Sequence, residues 1–274
     1  MKVGLNQWIF PDKMSLIECF QLAKKVGADG VEVNIYLDKG EVNLETPIEK
    51  VAEVTKALKD TGIEVTSILP PQIFPNITKI EENSVQVREI IERAKKLMDI
   101  TKILGADTIL LVPGGLWDGN PRYDIAYRNA SHCIKKISKI AEEKKVYLAI
   151  ENVWNKFLLS PLEMCQFIDQ FNSEYIKAYF DVGNILLYGF PEHWIEILRK
   201  RIKRVHVKDF KRDVGNAGGF VPLLAGDINW KNVVQSFKKI GYESFLTAEL
   251  PGHKFYPEYF IAETVRTIRK IIEG

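Results

Sequence analysis

Eight strand-like segments alternate with eight helix-like segments along this 274-residue chain, and no other feature limits its fold as strongly. The strand-like segments are short apolar runs, whereas the segments between them carry apolar residues at helical spacing. The predicted strands are 3–9, 30–36, 63–69, 107–113, 146–152, 176–182, 202–209 and 244–250. The predicted helices are 15–28, 46–62, 84–105, 122–145, 161–171, 191–201, 228–241 and 257–274, with Ser15 as the N-cap of the first.

Near-continuous apolar strands such as TILLV and VYLAI are typical of parallel strands buried on both faces. Eight βα units in about 250 residues predict a single (β/α)₈ TIM barrel. A doubly wound open sheet is the main alternative, but it usually carries a glycine-rich fingerprint after the first strand. The segment NQWIFPDKM has no such fingerprint, and no linker divides the chain. The sequence therefore predicts one catalytic domain over residues 1–274.

Composition and charge exclude several classes of protein. The 38 basic and 36 acidic residues nearly cancel, which argues against a nucleic-acid-binding surface. No uncharged apolar run approaches the ~20 residues that span a bilayer. The three cysteines are widely spaced without a CxxC pair, and MKVGLNQWIF lacks the features of a signal peptide. We therefore expect a cytoplasmic protein that acts on a small molecule, with no nucleic-acid or membrane partner.

Four polar residues stand at the ends of predicted strands five to eight. They are Glu151, Asp181, His206 and Glu249. Each acidic residue alone is compatible with a helix N-cap, and His206 is compatible with a hydrogen-bonded core histidine. Together they favour a divalent-cation site, because the carboxyl ends of barrel strands converge and three buried carboxylates without a cation are strongly unfavourable.

The segments AIEN, FDVGN, RVHVKDFKR and LTAEL, in this order, resemble the sugar-phosphate isomerase/epimerase families of the xylose-isomerase-like barrel superfamily. The resemblance covers essentially the whole chain and is strongest to ketose 3-epimerases and L-ribulose/L-xylulose 5-phosphate 3-epimerases. It implies that Glu151, Asp181, His206 and Glu249 bind one divalent metal, commonly manganese. It also implies that Glu151 and Glu249 are the catalytic acid/base pair. Manganese is the expected ion, and ligation by oxygen and nitrogen is also compatible with magnesium, cobalt or zinc.

Several residues after the strand-seven histidine are candidates for substrate contacts. Arg212 matches an arginine that binds substrate oxygens in the epimerases, although an exposed cation is the alternative. Lys208 follows the predicted ligand, where Asp209 is expected to orient it or to form a structural ion pair with it. The loop 214–227 contains four glycines, and its backbone NH groups are predicted to bind phosphate or to form a lid.

Other predicted substrate contacts are spread along the chain. Trp8 and Trp117 are expected to line the cavity as aromatic walls, and Glu32 to line the same cavity. His253 follows the last strand, where it either contacts substrate or is solvated. Asn184 replaces the histidine that free-ketose epimerases carry three residues after the metal-binding aspartate, and it is expected to bind a substrate hydroxyl.

A second departure concerns Phe157, which replaces a glutamate that free-ketose epimerases carry six residues after the first ligand. The sequence thus predicts a metal-dependent epimerase acting at C3 of a ketose or ketose phosphate through an enediolate. The alternatives are an aldose–ketose isomerase of the hydroxypyruvate isomerase type, a keto-inositol dehydratase, an endonuclease IV-like repair enzyme and a non-catalytic sugar-binding barrel. The resemblance also implies a homodimer or homotetramer.

Overall fold

Eight parallel strands close into a barrel, which confirms the predicted fold. The computed structural model describes residues 1–274. In chain order the strands are β1 (Lys2–Asn6), β2 (Gly30–Asn34), β3 (Glu64–Leu69), β4 (Thr108–Leu111), β5 (Tyr147–Glu151), β6 (Ile176–Asp181), β7 (Ile202–Val207), β8 (Asp209–Phe210), β9 (Phe220–Val221) and β10 (Phe245–Ala248). The barrel consists of β1 to β7 and β10, and β10 pairs with both β7 and β1. The short strands β8 and β9 form a separate antiparallel pair after β7.

One helix follows each of the eight barrel strands in the chain. The helices are α1 (Leu16–Val26), α2 (Ile48–Lys59), α3 (Val85–Ile103), α4 (Tyr123–Lys144), α5 (Pro161–Asp169), α6 (Pro191–Leu198), α7 (Trp230–Lys239) and α8 (Pro257–Glu273). The predicted N-cap is confirmed, because the Ser15 side chain accepts from the Glu18 amide and the Glu18 carboxylate accepts from the Ser15 amide. No helix combines the length and the apolar character needed to cross a membrane.

The first strand is shorter than its prediction. It ends at Asn6, because the Asn6 side chain accepts a hydrogen bond of 2.8 Å from the Trp8 backbone N and turns the chain into a 3₁₀ turn over Gln7–Ile9. Trp8 consequently leaves the strand and is 42% exposed at the carboxyl end of the barrel. The local Asx turn outweighed the apolar pattern that suggested a longer strand.

The hydrophobic core lies mainly between the barrel and its helices, in one cluster of 75 buried residues. A much smaller apolar cluster fills part of the barrel interior, with Tyr179 as its largest side chain. Interior space is limited where two strands approach: a Cβ on Gly30 would collide with the Thr66 side chain of the neighbouring strand. The rest of the interior is polar, so hydrogen bonds rather than apolar contacts fix the residues at its two ends.

Arg204 of β7 fills the amino-terminal end of the barrel interior. Its guanidinium donates to Thr66 O at 2.8 Å, to Lys203 O at 3.0 Å and to Asp107 Oδ1 at 2.8 Å. Arg204→Met is expected to lower the free energy of unfolding by about 2–4 kcal/mol, because buried acceptors lose their donors. Chemical denaturation measures this loss.

A matched control is Arg266→Met, since Arg266 pairs only with Glu263 on the exposed face of α8. This substitution should lower the free energy of unfolding by less than about 1 kcal/mol.

The stability of the wild-type protein should also depend on pH through Asp107. Burial would raise the pKa of Asp107, but Arg204 and Lys203 outweigh it and hold that pKa below its usual value. A carboxylate of this kind stabilises the fold above its unfolded pKa of about 4 and loses its effect as the pH falls through the folded value. The difference in unfolding free energy between the wild-type protein and Arg204→Met should therefore become smaller below about pH 4. Equal losses of unfolding free energy in Arg204→Met and Arg266→Met would contradict the role of Arg204.

Candidate metal centre

Four polar side chains from four neighbouring strands meet at the carboxyl end of the barrel. Glu151 ends β5, Asp181 ends β6, His206 lies in β7 and Glu249 follows β10. One potential ligand atom of each residue lies within 4.8 Å of those of the other three. Asp181 and His206 are fully buried, and Glu151 is 5% exposed. This convergence is what the strand-end pattern predicts.

Strand register places these side chains on the inner surface of the barrel. Asp181 lies opposite His206 in the β6–β7 ladder. Because side chains alternate along a strand, Tyr179 shares the inward face of β6 with Asp181, and Arg204 shares that of β7 with His206. The Tyr179 ring lies 4.3 Å from the His206 ring, centroid to centroid. Each inward face thus carries one residue of the cluster and one residue that packs beneath it.

His206 contacts carboxylates through both ring nitrogens. Its Nδ1 lies 3.1 Å from Glu151 Oε1 and 3.8 Å from Glu249 Oε2, and its Nε2 lies 2.7 Å from Glu32 Oε2. Burial would lower the pKa of His206, but Glu32 and Glu249 outweigh it and raise that pKa well above its usual value. A hydrogen bond from Nε2 to Glu32 leaves Nδ1 facing the cluster as a potential ligand atom.

Glu32 is a fully buried carboxylate beneath the cluster, so the expectation that it lines the cavity is wrong. Its Oε1 accepts from Tyr179 OH at 2.6 Å and from Ser67 Oγ at 2.8 Å. Its Oε2 accepts from Asn6 Nδ2 at 2.7 Å and contacts His206 Nε2. Four donors on one carboxylate fix its position, and Glu32 in turn fixes the orientation of the His206 ring.

Replacing Glu32 by glutamine is expected to weaken divalent-metal binding by roughly 10–100-fold. The carboxamide keeps the volume of Glu32 but cannot accept from donors on both of its terminal atoms, so the His206 ring loses its fixed orientation. Titration calorimetry with Mn²⁺ measures the dissociation constant. The control is Glu64→Gln. Glu64 begins β3, the strand next to that of Glu32, and its exposed carboxylate pairs with Lys2. Equal affinities in the two variants would contradict this role of Glu32.

Lys208 supplies a cation next to the cluster that the sequence prediction did not place there. Its ammonium lies 2.7 Å from Asp181 Oδ2 and forms an ion pair with Glu249. The expected pairing with Asp209 is wrong, because the Asp209 carboxylate accepts from four NH donors between Phe210 and Trp230 instead. Position 208 shares the parity of His206 in RVHVK, which is the one sequence signal that could have identified this lysine.

The two glutamates of the cluster have opposite electrostatic environments. Burial raises the pKa of Glu151 to about 7, and Glu249 and Asp181 add to this effect, whereas the hydrogen bond with His206 opposes it. Burial also disfavours ionisation of Glu249, but the Lys208 and His206 cations outweigh it and hold the pKa of Glu249 below its usual value. One carboxyl therefore takes up a proton more readily than the other.

The donor set fits a divalent cation. Asp181 Oδ2 is completely buried, and the Lys208 ammonium at 2.7 Å is its ion-pair partner. Asp181 Oδ1 accepts from the Asn184 backbone N at 2.7 Å, which fixes the carboxylate plane. Three carboxylates and one imidazole suit manganese, magnesium, cobalt or zinc. The cluster could therefore hold one metal ion through Glu151, Asp181, His206 and Glu249.

Two adjacent cavities open beside the cluster. The smaller one, about 220 Å³, is bordered by Glu151 and Glu249 and has apolar walls that include Trp8 and Phe74. The larger one, about 600 Å³, is bordered by Trp8, Glu249 and Lys208. Trp8 and Glu249 border both spaces, so a ligand that extends through both would pass the Glu249 carboxylate. Trp8 thus lies where the sequence prediction puts it.

Asn184 and Asn152 hold the two strand ends together. Asn184 Nδ2 donates to Asn152 O at 2.9 Å, Asn152 Nδ2 donates to Asp181 O at 2.8 Å, and Asn152 Oδ1 accepts from Asp181 N at 2.9 Å. Asn184 O accepts from Trp154 Nε1 at 2.7 Å. Asn184 is buried next to the cluster, and its side-chain amide is engaged in this support; binding of a substrate hydroxyl by Asn184 stays a prediction.

Besides Asn184, three predicted substrate contacts line neither cavity. Trp117 is 59% exposed in the loop after β4. Arg212 lies in an exposed 3₁₀ turn, where only its backbone N is engaged, by Asp227 Oδ2 at 2.8 Å. His253 borders a separate surface cavity with aromatic residues of α8, and its Nδ1 accepts from the Tyr256 backbone N at 3.0 Å. Sequence position near a strand end was insufficient here, because the connecting loops lead these side chains away.

Phe157 explains one departure from the free-ketose epimerases. Its side chain is 2% exposed and packs against Tyr123, Tyr127 and Phe167. The loop after β5 therefore uses this position for its own hydrophobic core. A glutamate here would lose its water without gaining a partner.

Comparison with known proteins adds family relationships to this geometry. A family model described as xylose isomerase-like TIM barrel matches residues 20–271. Among curated proteins, L-ribulose-5-phosphate 3-epimerase UlaE of Escherichia coli (strain SMS-3-5 / SECEC) is 23% identical over 252 residues, which cover 88% of this chain and 84% of that protein.

Solved structures with the same architecture include two that bear on the site. The IolI protein with a bound zinc atom has a TM-score of 0.80 and 18% identity, and the match covers 100% of this chain and 98% of that one. L-ribulose 3-epimerase has a TM-score of 0.77 and 16% identity, and the match covers 99% and 94% of the two chains. At these identities the likeness shows a common fold.

Proposed function

Because the chain belongs to the xylose isomerase-like TIM barrel family, we propose that it is a divalent-metal-dependent isomerase that epimerises C3 of a ketose or ketose phosphate. The observation that carries the proposal is the pair of carboxylates Glu151 and Glu249, which border one cavity beside two further potential metal ligands. The names of its relatives, a ribulose-phosphate 3-epimerase and a ribulose 3-epimerase, support this class of reaction.

Epimerisation next to a ketone requires the removal of a proton from a weakly acidic carbon and its return to the opposite face. One carboxylate must act as the base on one face while a protonated carboxyl acts as the acid on the other. Glu151 and Glu249 come from β5 and from the end of β10, which are separated by β6 and β7 in the barrel. They therefore reach the cavity from different directions, as a two-base mechanism needs.

Asp181 and His206 have the simpler role of ligands, together with the two glutamates. Asp181 is fixed by the Asn184 backbone, and His206 is fixed by Glu32, so neither is free to move a proton during turnover. A bound divalent cation supplies positive charge that polarises the substrate carbonyl and stabilises the enediolate. Lys208 adjoins Glu249 and can hold that carboxylate in position while the substrate proton moves.

The rival functions make different demands on the site. An endonuclease IV-like enzyme needs several metal ions and many histidines, but three of the four histidines, His132, His193 and His253, lie outside the cluster. An aldose–ketose isomerase would use the same carboxylates to move a proton between C1 and C2. A non-catalytic barrel would bind sugar without exchanging any proton.

Deuterium exchange tests the proposal directly. The metal-loaded protein is incubated in deuterated water with a panel of ketoses and ketose phosphates, and NMR identifies the carbon that exchanges. We expect deuterium at C3 together with inversion of that centre. Deuterium at C1 would establish the isomerase instead, and no exchange with any compound would overturn the enzymatic proposal.

A further inference from the structure

Asp209 precedes the glycine-containing loop 214–227, and its carboxylate fills a set of NH donors supplied by Leu224 of this loop and by residues on either side of it. Asp209 is fully buried, and its Oδ1 accepts from the backbone N of Phe210 at 2.9 Å and of Ile228 at 3.2 Å. Its Oδ2 accepts from Leu224 N at 2.9 Å and from Trp230 Nε1 at 2.8 Å. Such a concave set of NH donors is what a phosphate group would require. Here a carboxylate occupies it.

Other NH groups of this loop are also engaged. Gly218 N donates to Asn216 Oδ1 at 2.9 Å, and Gly219 N donates to Asn216 O at 2.8 Å. Ala225 N donates to Pro222 O at 3.0 Å, and Asp227 N donates to Phe210 O at 2.9 Å. Gly226 packs directly against the Asp209 carboxylate, where a Cβ would collide with it. Gly226 therefore lets the loop close around Asp209, a role that needs no external phosphate.

The two cavities beside the cluster offer little to a phosphate dianion. Their lining includes Glu151, Glu249 and Asp12 as acidic groups and Lys208 as the single cation. The Lys208 ammonium is already paired with Asp181 and Glu249. A phosphate placed here would lose its hydration next to carboxylates and gain no unpaired cation in return.

The remaining walls suit an uncharged polyol. Trp8 borders both cavities, Phe74 borders the smaller one and Phe220 borders the larger one. Aromatic faces of this kind pack against the C–H faces of sugars, while the few polar groups fix orientation. Both the polar and the apolar parts of the lining thus favour an uncharged polyol as the ligand.

We propose that the substrate is a ketose without a phosphate group, recognised by aromatic walls and by the carboxylate cluster. The inference rests on the proposed function and narrows its substrate class. It runs against the phosphorylated sugar in the name of the UlaE relative. Asp209 bears on this choice, because it occupies four NH donors around loop 214–227 that could otherwise hold an anion.

The first test compares matched substrates on the metal-loaded protein. The pairs are ketoses and their 5-phosphates, such as L-ribulose and L-ribulose 5-phosphate, and kcat/KM is measured for each. We expect at least a 100-fold preference for the free ketose. A preference for the phosphate with exchange at C3 would overturn this inference and leave the epimerase proposal standing.

Binding gives a readout that does not depend on turnover. Calorimetry on the same pairs should show tighter binding of the free ketose than of its phosphate. If the free ketose binds more tightly but no proton exchanges in deuterated water, the substrate class is supported and the epimerase proposal fails. Tighter binding of the phosphate, or no binding of either, would overturn the inference.

Inorganic phosphate probes the loop separately. Millimolar phosphate should shift the melting temperature of the wild-type protein no more than chloride at equal ionic strength, and a larger shift would again overturn the inference. Asp209→Ala opens the donor set that the carboxylate fills, and phosphate is expected to stabilise this variant more than chloride does. The same response in the variant and the wild type would count against Asp209 as the resident anion.

Discussion

Glu151→Gln and Glu249→Gln are each expected to lower the rate of epimerisation by roughly 10²–10⁴-fold, the range over which positioned acid–base groups act. Glutamine keeps the volume of the side chain and one oxygen that can still bind a cation. It cannot accept the substrate proton as a carboxylate does. The loss should therefore appear in kcat, while the metal content measured by mass spectrometry stays near one ion per chain.

The two variants should also differ from each other in a way that simple damage to the site would not produce. If each glutamate serves one face of C3, each variant retains one functional base. In one variant, one epimer of the substrate should then exchange its C3 proton with solvent deuterium without inverting. In the second variant, the opposite epimer should show this exchange without inversion. Glu243→Gln is the control, because Glu243 is exposed just before β10. Inversion at the wild-type rate in either active-site variant would remove that residue from the acid–base pair.

Removal of the metal is the second change with a large expected effect. A protein stripped with a chelator should lose roughly 10³-fold or more of its turnover, because stabilisation of the enediolate charge is worth several kcal/mol. Turnover should return on titration with Mn²⁺ and reach a plateau at one ion per chain. Mg²⁺, Co²⁺ and Zn²⁺ should restore it to different extents, since their charge density and preferred geometry differ.

Asp181→Ala is the matched variant for the metal experiment. In the proposed mechanism Asp181 would contribute a ligand oxygen but no proton, so its loss should weaken metal binding and leave turnover recoverable at high Mn²⁺ concentration. Lys208 would keep Glu249 as a partner in this variant. Full turnover of the stripped wild-type protein, at less than about 0.1 ion per chain, would show that the reaction does not depend on a metal.

The sequence was sufficient for the barrel and for the convergence of the four strand-end residues. The reason is that strand periodicity and parallel topology together bring the carboxyl ends of the strands to one place. The sequence prediction placed Glu32 on the cavity wall and missed its contact with His206. This contact crosses the barrel and joins residues 174 positions apart, so no local pattern indicates it. A glutamate between valines in GVEVN, a strand buried on both faces, was nevertheless a signal that it needed a buried partner.

Loop residues were predicted less well for a related reason. Trp117 and His253 follow barrel strands in sequence, but the direction of the chain after a strand depends on local turns such as the His253–Tyr256 hydrogen bond. The role of Asp209 depends on donors 15 to 21 residues later in the chain. No periodicity in the sequence encodes contacts of this kind, and they decide which side chains finally meet the substrate.

The ion pairs of Lys208 have a consequence for the order of folding and metal binding. In small zinc domains the metal supplies the folding energy, and the chain stays unfolded until the metal arrives. Here an ammonium already balances Asp181 and Glu249, and a large apolar core lies elsewhere in the barrel. The chain can therefore complete its fold on synthesis without the ion and bind it afterwards. The active fraction in a cell would then follow the supply of the cation rather than the yield of folding.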